Sequence, residues 1–263
     1  MDWRRGGRLR LLATLAACWL LAAAAGASAD LTGQEILERL RGDTPLATQQ
    51  GMAQVRLTTV NERGQERPNE MRIFVRSSSE GTEQLLEYVA PADVAGTKLY
   101  TRTPKKGDPD ILLFLPALGR ERRIAASERG SSFMNTDFTY DEITSFASFT
   151  ELYTAERLED SEWDGRPAYV LRLTPRDPGS LYSHVIMYVW QDEYLPLRVD
   201  FYNRDGVLWK QLLNSNFQQT PSGAWEARRI EMVNVIKKTK TIIDLLATSR
   251  TDVPANFLRE LRR

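Results

Sequence analysis

Three arginines in four positions, Arg120, Arg122 and Arg123, follow an apolar run at 111–115 and the turn Pro116-Ala117-Leu118-Gly119. A guanidinium forks phosphate and carboxylate groups. Arginines at the end of an apolar strand can therefore hold the charged head of a greasy ligand at a cavity rim. They can equally pair with Glu121, Asp137, Asp141 or Glu142 nearby. Those acids lack the spacing of a calcium loop, so no metal is expected. His184 is the single histidine and sits in the uncharged run 184–190, where it reads as a satisfied core side chain rather than a base. One His and one Cys exclude a zinc site built from those residues and leave the usual nucleophile–base pairs without support. No catalytic residue and no cofactor is named, and an enzyme is not expected. Lys+Arg and Asp+Glu are 35 each, so no basic field invites nucleic acid.

The elements that must position these residues are mostly strands. Ala53, Val55 and Leu57 alternate with Gln54 and Arg56, and Leu195, Leu197, Val199 and Phe201 alternate with Arg198 and Asp200. A period of two marks strands with one buried face. Twelve segments qualify, near 52–62, 68–77, 83–90, 97–103, 110–115, 151–160, 167–175, 183–191, 196–203, 207–218, 225–236 and 240–249, and about ten strands are expected from them. Turn signals at Asn61-Glu62-Arg63-Gly64, Asp164-Gly165, Asn203-Arg204-Asp205-Gly206 and Pro221-Ser222-Gly223 join them into antiparallel hairpins. Pro116 should end a strand, because it cannot donate to a ladder, and Gly119 should take a positive φ. Helix signals are few. Thr32 and Glu35 form a capping box ahead of Ile36, Leu37 and Leu40; a short helix is expected at 141–149 and another after Pro254.

The first 29 residues read as an export leader. Arg4, Arg5, Arg8 and Arg10 precede an apolar stretch at 11–25, and Ala27-Ser28-Ala29 has the small-x-small form of a cleavage site. The stretch is too short for a membrane span. Leu15-Ala16-Ala17-Cys18 has the form of a lipobox, which would make Cys18 a lipidated first residue, although Trp19-Leu20-Leu21 continues the apolar run. Without 1–29 the chain loses four Arg, one Asp and its Cys, leaving a net charge of −3 and no disulfide. Residues 30–263 read as one domain.

The runs 111–115 and 184–190 are apolar on both faces and need cover on both sides. A helix and a loop could supply it. Alternatively, a curved sheet could line a cavity for a greasy ligand. Phe133, Phe138 and Tyr140 are spaced like loop aromatics tucked under a sheet, as core plugs or as contacts for an acyl chain.

Three ordered motifs make the centre of the chain distinctive: Pro91-x-Asp93-x-x-Gly96-Thr97, then LPALGRERRI at 115–124, then SFMNTDFTYDE at 132–142. The pattern resembles the bacterial outer-membrane lipoprotein-sorting proteins of the LolA-like superfamily, in the branch that carries these motifs. Tyr194-Leu195-Pro196-Leu197-Arg198, Phe201-Tyr202, Asp205-Gly206 and Lys210 extend the resemblance over nearly all of 30–263. It implies an α+β, mainly β fold: an incomplete antiparallel β-barrel of about eleven strands with helices covering its mouth, and a concave face that takes acyl chains. The lid-holding arginine of the classical carrier has no one-to-one match here. The implied function is a periplasmic carrier or chaperone for a lipid or acylated lipoprotein, with an inner-membrane exporter or an outer-membrane acceptor as partner. The alternative is a sensor or adaptor that uses the same barrel to report to a membrane partner. A hydrolase has least support. Strand alternation nominates Leu99, Leu113, Leu115, Phe133, Phe138, Tyr140, Ile186, Tyr188, Trp190, Leu197 and Phe201 as the apolar lining, with Arg120, Arg122 and Arg123 at the rim.

Overall fold

Alternating burial turns this sequence into one large sheet. The computed structural model describes residues 31–40, 50–145, 149–249 and 253. Its strands are β1 (Gly51–Val60), β2 (Glu66–Ser78), β3 (Gly81–Ala90), β4 (Lys98–Pro104), β5 (Asp110–Leu115), β6 (Arg120–Arg123), β7 (Tyr153–Arg157), β8 (Ser161–Trp163), β9 (Arg166–Pro175), β10 (Tyr182–Trp190), β11 (Pro196–Asn203), β12 (Leu208–Gln219), β13 (Trp225–Asn234) and β14 (Thr239–Ser249). The helices are α1 (Gly33–Arg39), α2 (Tyr140–Ser145) and α3 (Phe149–Leu152).

The sheet order is β6-β5-β4-β3-β2-β1-β14-β13-β12-β11-β10-β9-β7, with β8 paired to β9. Every pairing is antiparallel, and the sheet stays open, with β6 and β7 at the two ends of the order. The fold is thus mainly β, as expected, but with 14 strands. All twelve segments read from the sequence form strands. The two extra ones carry no alternation: β6 is Arg-Glu-Arg-Arg, exposed throughout, and β8 has three residues. Among the described residues, no helix is long and apolar enough to cross a membrane. The leader expected at 1–29, the lipobox Cys18 and the helix expected after Pro254 lie outside the described residues.

Register divides the sheet into two faces. Val55, Met71 and Tyr88 pair across β1–β3, as do Ile73, Leu86, Leu99 and Leu113 across β2–β5. On the other side of β1, Thr241, Met232, Leu212, Val199, Met187 and Leu171 form one continuous cross-strand row from β14 to β9. These apolar side chains are all buried. The opposite face is mixed. Phe74, Leu85, Tyr100 and Leu112 cluster there with Val253, which accounts for the second apolar face of the run 111–115. Beside that cluster, Glu83 accepts from the Tyr100 hydroxyl at 2.5 Å and pairs with Arg76. Burial would raise its pKa, but Tyr100 and Arg76 together hold it below the ordinary glutamate value. On β10 the same face carries His184, Ile186, Tyr188 and Trp190, all half-buried. Aromatic and arginine neighbours cover them: His184 stacks on Tyr202 at 4.3 Å, and Arg198 lies over Trp163 and Tyr188. Burial and Arg172 keep the His184 imidazole below its ordinary pKa.

Helix α1 starts as the sequence indicates. Thr32 accepts from the Glu35 N–H at 3.2 Å, and the Glu35 carboxylate accepts from the Thr32 N–H at 2.8 Å. Ile36 and Leu37 are buried, and the helix packs on β7 and β9. Gly33 makes the contact possible: a Cβ there would lie 2.6 Å from the Arg157 nitrogen and 2.6 Å from the Glu156 carbonyl carbon, both backbone. Gly33→Ala is therefore expected to push α1 off β7 and cost about 1–3 kcal/mol, the range for overpacking. Urea denaturation measures it, and an unchanged midpoint would show that the close approach does not matter.

Candidate functional site

The motif at 132–142 builds a strap that crosses the apolar face of the sheet. Met134 (φ 48°) and Asn135 (φ 62°) both take the left-handed conformation, and the Thr136 N–H donates to the Phe133 carbonyl at 2.8 Å. This is a tight reversal of the hairpin kind, which needs two consecutive positive φ values. The Phe133 N–H then donates to the Phe138 carbonyl at 2.8 Å, and Ser132 bridges to Thr139. The small hairpin buries Phe133 and Phe138 completely. Phe133 lies 6.2 Å from Tyr88 of β3 and 5.7 Å from Tyr140. Helix α2 follows with its own capping box: the Thr139 N–H donates to Glu142 Oε2 at 2.6 Å, and the Glu142 N–H to Thr139 Oγ1 at 3.1 Å.

Polar contacts fasten the strap at two places. Asp137 accepts from Thr239 Oγ1 at 2.5 Å and from Thr241 Oγ1 at 2.9 Å, while its own N–H donates to Thr241 Oγ1 at 2.8 Å. Glu142 receives Lys210 Nζ of β12 at 2.8 and 3.2 Å and the hydroxyl of Tyr182 of β10. The Lys210 side chain is 3% exposed and the Glu142 side chain 10%. The face chosen by Phe201, Val185 and Leu173 is the one on which Lys210 stands. A lysine there would be an isolated buried charge without its carboxylate. Burial, and then the Glu142 charge, push the Tyr182 hydroxyl well above the usual tyrosine range, so it stays a donor. Burial likewise raises Tyr88 and Tyr153.

The face beneath the strap is not wholly satisfied. Thr101 Oγ1 and Asn214 Oδ1 are buried and lack a hydrogen-bond partner among the described residues. Both belong to the strap face: Thr101 pairs with Gln84 and Ile111, and Asn214 with Ile230. A cleft of about 540 Å³ opens beside the strap turn, lined by Thr59, Val60, Glu66, Arg67, Asn135, Asp137 and Thr239 among others. Most of the residues that line it are polar or charged. Among the described residues no three His, Cys, Asp or Glu side chains are grouped for a metal.

The residues nominated from sequence separate into two sets. Leu99, Leu113, Leu115, Leu197 and Phe201 stand on the strap face, and Phe133, Phe138 and Tyr140 come down onto it from the strap. Ile186, Tyr188 and Trp190 stand on the other face, because they alternate with Val185, Met187 and Val189. The arginines also divide. Gly119 takes φ 60° and β5 ends at Leu115, so the turn at 116–119 delivers Arg120 and Arg122 to the strap-face side, opposite Leu115 and Leu113. Arg123 is on the far side with Asp110. Arg122 pairs with Glu128 at 2.7 Å, which, together with contact to Tyr140, raises its pKa. Neither partner is among the acids that proximity in sequence suggested, because Asp137 and Glu142 are turned inward to the sheet. Sequence reasoning did not single out Lys210 as the strap's anchor. The signal was slight: Lys210 shares a face of β12 with Leu212, two positions on, and with Asn214.

Comparison with known proteins follows the same lines. A family model whose description reads "-like: Uncharacterized protein" matches residues 80–260. A domain from Vibrio parahaemolyticus described as an outer membrane lipoprotein-sorting protein is 27% identical, with a TM-score of 0.78 over 88% of this chain and 98% of that one. A DUF1329 family protein from Desulfovibrio piger is 23% identical, with a TM-score of 0.76 over 85% of this chain and 94% of its own. A LolA superfamily protein from Nitrosomonas europaea is 22% identical, with a TM-score of 0.69 over 87% and 97%. No curated protein matches the chain. The last two structures speak for the fold alone. With the family model spanning well over half the chain, the chain belongs to that family, and its open antiparallel sheet shares the fold of the lipoprotein-sorting domain and of the LolA superfamily protein.

Proposed function

We propose that the protein is a periplasmic carrier that binds the acyl chains of a lipid or lipoprotein on the strap face, for transfer toward the outer membrane. The observation that carries this reading is the unbroken apolar row Met187, Val199, Leu212 and Met232, which lies between two separate covers. Helix α1 covers the β7–β9 end, and the strap is anchored on β12, β14 and, through Phe133, β3. In this reading the helices and strap are the cover of the barrel mouth. The covers are held by the apolar contacts of Ile36, Leu37, Phe133 and Phe138 together with the polar anchors Asp137 and Glu142, so an acyl chain reaches the row by displacing both kinds of contact. Leu197 and Phe201 lie beside the row; Leu99, Leu113 and Leu115 continue the same face toward β6. Arg120 and Arg122 stand at its lip, where a charged head would remain in water. Ile186, Tyr188 and Trp190 take no part in this surface.

The magnitudes favour a carrier. An acyl chain costs roughly 0.8 kcal/mol per CH₂ in water, about 12 kcal/mol for sixteen carbons. A protein that moves such a chain needs a dry face and a movable cover, and no reactive group. Binding of that strength also implies hand-over by docking on an acceptor rather than release into water. Native mass spectrometry of protein purified without detergent tests the reading. The expected result is an added mass equal to a lipid or acyl-peptide. Protein that is always empty, and that ignores a fluorescent fatty acid, would contradict it.

A further inference from the structure

Exposed apolar side chains are not scattered over this protein. Of nine large apolar residues that are exposed among the described residues, seven sit at one end of the strands, the end at which β1, β3, β9, β11 and β13 finish; Leu158 and Leu246 are the exceptions. The densest part is a row of neighbouring hairpin tips. Val207 is 51% exposed at the β11–β12 tip, and Val235 and Ile236 are 39% and 56% exposed at the β13–β14 tip. Leu181, 37% exposed, ends the β9–β10 connection. The tips touch. Arg204 donates to the carbonyls of Ser180 at 2.9 Å and Gly179 at 2.7 Å, and the Val235 N–H donates to the Trp209 carbonyl at 2.9 Å. Ile236 and Lys237 share a cleft of about 510 Å³ with Asn61, Glu62 and Arg63 of the β1–β2 tip.

Charge accompanies the apolar tips. Arg63, Arg204, Lys237 and Lys238 stand there against Glu62 and Asp205. Neither Lys237 nor Lys238 has an ion-pair partner among the described residues.

We propose that this row of hairpin tips docks on an anionic lipid bilayer, with Val207, Val235 and Ile236 entering the headgroup region and Lys237 and Lys238 meeting lipid phosphates. The composition decides between a bilayer and a protein partner. Protein interfaces favour Trp, Tyr and Arg and disfavour Lys, with few Leu or Val hot spots. Separate aliphatic tips flanked by lysines are instead what an anionic interface attracts, through apolar burial plus charge. The inference deepens the carrier reading and rests on it for its purpose: hand-over by docking requires a surface that meets the membrane.

Vesicle flotation tests it with two probes, phosphatidylcholine alone and phosphatidylcholine mixed with phosphatidylglycerol. The wild-type protein is expected to float with the mixed vesicles and much less with the neutral ones. Val207→Asp/Ile236→Asp and, separately, Lys237→Ser/Lys238→Ser are expected to weaken that association by about tenfold or more. Equal binding to both vesicles, binding to neither, or full binding by both variants would overturn the proposal. Uptake of a fluorescent fatty acid in vesicle-free solution separates this test from the carrier reading. The variants should keep that uptake. Uptake without flotation removes the docking surface alone, and flotation without uptake removes the carrier reading alone.

Discussion

Lys210→Met is expected to destabilise the protein by about 3–5 kcal/mol, the cost of stranding one partner of a buried ion pair. The Lys210 ammonium and the Glu142 carboxylate meet at 2.8 Å with both side chains almost fully covered. Removing the cation leaves the carboxylate with the Tyr182 hydroxyl and the Thr139 N–H as donors, but with no counter-charge. The double variant Lys210→Met/Glu142→Gln is expected to recover most of the loss, because the neutral amide keeps a hydrogen-bonding side chain and removes the stranded charge. Urea denaturation of the three proteins measures both quantities. A single variant as stable as wild type would show that the strap is not fastened through this pair. A double variant worse than the single would show that the carboxylate has some other role in holding α2.

Phe133→Ala is expected to cost about 3–5 kcal/mol, the range for a large ring deleted from a well-packed interior. Phe133 has no exposed surface, and it joins the strap to Tyr88 on the sheet and to Tyr140 at the start of α2. The ring sits on a backbone reversal with two left-handed residues, which only good packing can hold in place. The site therefore has little freedom to collapse around the cavity. A loss below about 1 kcal/mol would mean that the ring is poorly packed and that the strap is held by its polar anchors alone. Thermal or urea unfolding, followed by tryptophan fluorescence, gives the value.

These two residues show what the sequence made legible and what it did not. Strands with clear alternation, such as the one around Val55 and Leu57, were readable because one buried face imposes a period of two. The turn at Pro116–Gly119 was readable because proline and a left-handed glycine leave few choices. The faces of β10 were not readable. Its residues 184–190 carry no charge at any position, so alternation carried no sign, and Ile186, Tyr188 and Trp190 were grouped with residues of the opposite face. Only pairing partners settle that: Val185 lies beside Phe201 and Leu173, and Met187 beside Val199 and Leu171. The short strand β6 was hidden by its charges, since an edge strand needs no apolar face and is better protected by arginines. The acids Asp137 and Glu142 lay in a recognised motif, but their partners Thr239, Thr241 and Lys210 are about 70 to 100 positions away. Sequence distance gives no clue to such contacts, and the nearer arginines were the natural but wrong candidates.

The arrangement also separates two jobs that the sequence reading had merged. Phe133 and Phe138 are fully covered by protein, so they belong to the strap's own packing in this structure. The row Met187, Val199, Leu212 and Met232 is equally covered but belongs to the sheet, so it would open to an acyl chain only when a cover moves off it. An acyl chain bound there would lie beside the strap and compete with it for the sheet.

The most direct measurement is photo-crosslinking with a fatty acid that carries a diazirine on its chain, followed by peptide mapping. The account predicts labels on residues of β10–β13 that face the strap, such as Met187, Val199, Phe201 and Met232, and none on Ile186, Tyr188 or Trp190. Labels confined to those three residues, or no saturable labelling at all, would contradict it.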